Sequence, residues 1–159
     1  EESNLGENVG TGNWFEDMHP TRDRPVFQYI TKRLGLDPDL MPVSKKPWYG
    51  WGGAMGPAQF IPSTWILFES RIGRASGQEP PNPWDPRTAF IASAILLMDN
   101  GADRGGYYNE RLAALRYFAA YAAVVSNTGR SLRSVSRTLV DCAARIFRGL
   151  AYLGSSPDG

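Results

Sequence analysis

Two pairs of opening and closing signals constrain this chain more than anything else in it. Asp23-Arg24-Pro25 opens a stretch that Gly35 closes, and Asp85-Pro86 opens another that Gly101 closes. An acid can accept from the free N–H groups of a first helical turn, and the fixed φ of proline suits that turn. Glycine takes the left-handed backbone that ends a helix. Between the first pair, Val26, Ile30 and Leu34 share one helical face. Between the second, Ala89, Ala92, Ala94, Ile95 and Leu96 fill the body. Two more helices are expected, from about Asn109 to Val125 with Leu112, Leu115, Tyr117, Phe118 and Tyr121, and from about Arg130 to Leu153. The latter carries Leu132, Val135, Leu139, Cys142, Ile146 and Leu150 at spacings of three and four. Alternating strand patterns are nearly missing. The expected fold is therefore all-α, an irregular helical bundle with a long structured loop region and little or no sheet.

The loop region carries the rest of the interest. Residues 7–22 read as a polar, glycine-containing loop, and 38–53 as an irregular aromatic stretch with Trp48, Tyr49 and Trp51. Pro57–Ile61 is expected to make a short helical turn that Pro62 interrupts, with Ser63 capping the next helix. Residues 73–84 read as a linker. Within this region GGAMGPAQFIPSTW, at Gly52 to Trp65, surrounds the amide of Gln59 with three glycines, two prolines and large apolar side chains. A core strand has no use for so much Gly and Pro, and a surface loop has none for so much Phe, Ile, Met and Trp. Something must approach this backbone closely.

Composition excludes several candidates. At 159 residues the chain suits one domain with one core, and 42% apolar against 21% charged residues is too apolar for disorder. A net charge of +1 gives no general attraction to nucleic acid. No apolar run is long enough to span a bilayer, the longest lying around Ile91 to Met98. Cys142 is alone, which rules out an intrachain disulfide. With His19 the sole histidine, a zinc site and the Ser-His and Cys-His nucleophile pairs drop out. No metal and no cofactor are expected.

What remains for chemistry is carboxylates, hydroxyls and amides. Aromatic faces beside amide donors suit sugars, because a pyranose has an apolar face and a hydroxyl-rich rim. Covering a small core is the plainer reading of Trp48, Tyr49 and Trp51. Glycosidic cleavage needs an acid at the leaving oxygen. Glu2, in Glu2-Ser3-Asn4-Leu5-Gly6, would stand at a helix end, where apolar cover favours the protonated acid. Its plainer reading is a solvated terminal glutamate. Asp85 is better explained as a helix cap than as a catalytic partner.

Two stretches together point to a family. ESNLG at Glu2 to Gly6 and GAMGPAQFIPSTW at Gly53 to Trp65 resemble the signature pair of the peptidoglycan lytic transglycosylases. Two weaker matches follow in order: Asn82 to Ala102 is similar to the family's Asp-initiated helix ending in Gly, and LRYFAAYA at Leu115 to Ala122 falls where the family has Tyr-x-Ala-Gly. The resemblance covers Glu2 to about Tyr121. It implies a lysozyme-like, mainly helical domain over residues 1–154, followed by a disordered tail at 155–159. It implies Glu2 as the catalytic acid and base, with Gln59, Tyr117, Met55, Ile61, Phe60, Trp51 and Ser3 binding substrate. Phe60, Ile61 and Trp65 would also anchor the segment to the core. The glycines would let a glycan lie against the main chain.

The resemblance also implies a peptidoglycan glycan strand as partner, no cofactor, a monomer, and a place in the cell envelope, periplasmic or extracellular. Three departures stand out. Ala120 occupies a position where the motif has Gly, the last helix is rich in Arg rather than acidic, and the helix before Glu2 is cut to one residue. The chain is expected to continue upstream. Alternatives are a hydrolytic muramidase on the same fold and a non-catalytic glycan-binding module. A third is an anionic-polymer binder using Arg130, Arg133, Arg137, Arg145 and Arg148, whose plainer role is to solvate a helix face.

Overall fold

The computed structural model describes residues 9–125 apart from residue 49, with side chains through residue 117. Five helices carry it: α1 (Trp14–Asp17), α2 (Arg24–Leu34), α3 (Pro62–Ser76), α4 (Pro86–Asp99) and α5 (Tyr107–Val125). Short 3-10 turns occur at Pro38–Leu40 and Ala102–Arg104. Among the described residues there is no strand, and the fold is all-α. The helix expected at 130–153 lies outside the described residues. The chain divides between residues 95 and 96 into two compact units.

In the first unit, α2 starts and stops where its sequence signals fall. Pro25 sits in its first turn, and Gly35 closes it in the left-handed conformation at φ 67°. Its buried face is Phe27, Ile30 and Thr31. Phe27 stacks on Trp14 at 5.8 Å and meets the edge of Trp84 at 6.0 Å. Met18, Ile30, Val43, Met55, Trp65 and Ile72 complete a core in which none of these side chains is more than 1% exposed. Burying each such side chain contributes about 1.5–3 kcal/mol before entropy is counted.

Three expectations are corrected here. Residues 7–22 are not all loop, because Asn13 caps α1 by accepting from Phe15 N at 2.8 Å and Glu16 N at 3.3 Å. Residues 57–61 do not form a helical turn. Residues 56–59 turn the chain back instead, and Met55 N donates to Phe60 O at 2.8 Å across the turn. Helix α3 begins at Pro62, with Ile61 rather than Ser63 in the cap position, and runs on through Gly73 to Ser76. That leaves only residues 77–85 to link it to α4. There Asp85 does cap the helix, its Oδ2 accepting from Thr88 N at 2.8 Å.

The loop region is held by single antiparallel bridges, Gly12 to Val43, Val43 to Met55, and Met55 to Phe60. They tie three remote segments together, with the 55–60 turn as one of them, without building a sheet. In the second unit, Leu97 from the end of α4 packs with Ala102 and Ala113, and Tyr117 lies against them, partly buried. Arg116 Nη1 donates to Asn100 O at 2.9 Å, so α5 also closes over the chain reversal at Gly101.

Candidate functional site

The stretch from Trp51 to Ile61 is the best-built loop in the first unit, and its glycines explain how. Gly52 N donates to Asp17 O at 2.9 Å, and Gly53 N donates to Ser44 O at 2.8 Å. Ala54 closes the same ladder by accepting from Ser44 N at 2.9 Å and donating its own N–H to Ser44 Oγ at 2.9 Å. A Cβ on Gly52 would stand 2.6 Å from Lys46 N. One on Gly53 would run into the Met18 side chain, and one on Gly56 into the Pro83 carbonyl. Gly53 and Gly56 also take positive φ, 89° and 60°. The backbone is therefore approached closely by the protein itself. What the glycines do here is let the main chain at 52–56 pack closely against the main chain at 45–46 and 83 and against the Met18 side chain.

Gln59 sits inside this frame in an unusual state. At φ 54° it is the one non-glycine residue with positive φ among the described residues. Such a backbone costs a side-chain-bearing residue about 1–2 kcal/mol, which Gly would avoid. Its Nε2 donates to Gly56 O at 2.8 Å, and its N–H donates to the same oxygen at 3.1 Å. That uses one of two amide hydrogens and leaves the other, with the acceptor Oε1, for a further partner. The side chain is half-buried at the turn.

The other expected site residues divide by burial. Met55 and Phe60 are core, at 1% and 4% exposure, and Phe60 meets Trp65 edge-on at 5.6 Å. They hold the Gln59 turn rather than offer a surface. Ile61 is half-buried in the cap position of α3. Trp51 is exposed, with His19 and Lys46 at its ring. Tyr117 belongs to the second unit, packed as described above. Glu2 and Ser3 lie outside the described residues.

Asp23 is what sequence reasoning missed. It was expected to cap α2, yet its side chain makes no such bond. Fully buried, it accepts from Arg22 Nη2 at 2.7 Å and Nε at 3.0 Å, and its Oδ1 accepts from Ser63 N at 3.2 Å. Helix α3 has no capping side chain of its own. Asp23 supplies that acceptor from 40 positions away, fixing the backbone just after Gln59. No local spacing signals such a bond. Among the described residues no group of three or more His, Cys, Asp or Glu side chains could hold a metal ion. No helix among them is long and apolar enough to cross a membrane. Comparison with known proteins finds no matching family model, no matching curated protein and no matching solved structure.

Proposed function

We propose that this chain is a peptidoglycan lytic transglycosylase. It cleaves the β-1,4 bond between N-acetylmuramic acid and N-acetylglucosamine and leaves a 1,6-anhydro ring on the muramic acid. The observation that carries this reading is Gln59. A strained left-handed backbone on a residue other than Gly, Asn or Asp costs stability, and such outliers cluster at binding sites. It falls on the one amide that the resemblance at Gly53 to Trp65 assigns to the sugar cleft. The anchoring of the same turn by Asp23, Phe60 and Trp65 supports a site whose amide is held rigidly.

In this mechanism Glu2, protonated, gives its proton to the glycosidic oxygen as the bond to the muramic anomeric carbon breaks. The N-acetyl carbonyl of the same sugar shares the developing positive charge. Glu2, now a carboxylate, takes the proton of the C6 hydroxyl, whose oxygen bonds to the anomeric carbon. One carboxylate suffices because the nucleophile is intramolecular and its effective concentration is high. Gln59 orients the N-acetyl or hydroxyl groups. The reaction belongs in the cell envelope, where the glycan is.

Digestion of purified peptidoglycan, with end-group analysis of the products, tests the proposal. Anhydro-muramic ends that disappear in Glu2→Gln are the expected result. Reducing muramic ends would replace the lyase with a hydrolase on the same fold. Turnover that Glu2→Gln leaves unchanged would remove Glu2 from the chemistry.

A further inference from the structure

The surroundings of Trp51 are not those of a core tryptophan. The residue is 45% exposed. The His19 ring lies 5.4 Å away between centroids, tilted by 60°, and Lys46 Nζ stands 5.6 Å from the indole centroid. An ammonium beside an exposed ring is weakly held by that attraction alone. Here the backbone does the holding. Asp17 accepts from Gly52 N with its carbonyl at 2.9 Å and from Lys46 N with Oδ1 at 2.9 Å, so one residue fixes the main chain beneath both Trp51 and Lys46.

The charges around the ring are arranged to leave a cation available. Asp17 spends its other oxygen, Oδ2, on Asn13 N at 2.7 Å, so both of its carboxylate oxygens serve backbone donors. Among the described residues Lys46 enters no ion pair. His19 Nδ1 accepts from Arg22 N at 3.3 Å, which places the proton of the neutral ring on Nε2. The result is an apolar indole face with an ammonium and an imidazole beside it. A row of phosphates would call for a row of cations. This arrangement offers one charge per aromatic ring, which matches a sugar carrying a single acid group.

We infer that Trp51, Lys46 and His19 form a subsite for a pyranose that carries a carboxylate. The indole takes the apolar face of the ring, the ammonium pairs with the carboxylate, and the imidazole contributes a hydrogen bond to the rim. The inference rests on the glycan reading above and sharpens it. Of the two alternating sugars of the strand, the one bearing the lactyl acid is seated here, so the subsite sets the register of the strand in the cleft.

Titration calorimetry of the full chain with two tetrasaccharides tests this, one of N-acetylglucosamine alone and one alternating it with N-acetylmuramic acid. The wild type should favour the acidic oligomer about tenfold, as expected of one charge-assisted contact. Lys46→Gln should erase that preference without changing affinity for the neutral oligomer. Trp51→Ala should weaken both by about tenfold, while Trp51→Phe keeps most of the binding. Thermal melts of each variant confirm folding, and Lys46→Gln with Trp51→Phe decide the matter if Trp51→Ala does not fold. Lys46→Gln that still discriminates, Trp51→Ala that binds as wild type, or no binding of either oligomer overturns the subsite. Anhydro products with an unaltered Lys46→Gln preference sink the subsite alone. A Lys46-dependent preference without any cleavage supports the subsite and sinks the transglycosylase.

Discussion

The start of α4 is capped by side chains within ten positions of one another, whereas the start of α3 takes its capping acceptor from 40 positions away. Before α4, Gln78 Oε1 accepts from Asn82 N and from Thr88 Oγ1, both at 2.9 Å. Asn82 Oδ1 accepts from Trp84 N, and Asp85 takes the first-turn N–H of Thr88. Each of these acceptors serves its own neighbourhood, while the Trp84 indole reaches out of the linker to donate to Pro42 O at 2.9 Å. Before α3, the chain relies on Ser44, Asp17, Asp23 and Pro83 instead. The difference teaches what the proposed binding loop requires. With capping and packing assigned to remote residues, Gln59 need not stabilise the helix that follows it, and its amide can take a strained position.

The sharpest way to break this comparison is at the glycines. Gly56→Ala combines a left-handed backbone with a collision against the Pro83 carbonyl. It should cost about 3 kcal/mol or more, from backbone strain plus overpacking. Gly77→Ala, at the end of α3, has φ 72° but open space around it. It should cost only about 1 kcal/mol in denaturant unfolding. Equal costs would mean that the close packing at Gly56 carries no weight.

Next come the two caps. Asp85→Ala removes one local acceptor and should cost about 1 kcal/mol. Asp23→Ala orphans Ser63 N inside the protein and leaves a small cavity, which should cost about 2–3 kcal/mol. If chemical denaturation ranks them the other way, the remote cap is not what holds the start of α3.

The smallest change in stability should come from Gln59→Gly. It relieves the positive φ but gives up the bond to Gly56 O and adds chain entropy, so the net shift should stay within about 1 kcal/mol. Glycan binding should nevertheless fall by about tenfold or more, as when a specific polar contact is lost. Stability and binding lost together would make Gln59 a structural residue only.

The ends of α2 and the start of α4 were readable because their signals are local. Asp85-Pro86 with Thr88, Pro25 with Gly35, and the apolar spacing along α2 and α5 each act within a turn or two of the backbone. Helix α1 was equally legible in Asn13 followed by Glu16 and Asp17, but the surrounding glycines concealed it. The candidate site was legible in part. Gln59 stands out from its neighbours in sequence, whereas nothing near it announces Asp23, and nothing near Trp51 announces His19 or Lys46.

The sequence by itself determined where α2 begins and ends, where α4 begins, and that the loop between α2 and α3 must permit close backbone approach. Only the tertiary structure decided what makes that approach: the protein's own main chain at Lys45, Lys46 and Pro83, and the side chain of Met18. It also decided that Asp23 serves α3 rather than α2. The physical reason is range. Helix signals work through hydrogen bonds between residues three or four apart, while a glycine's missing Cβ or a buried carboxylate acquires a partner only once distant segments have packed.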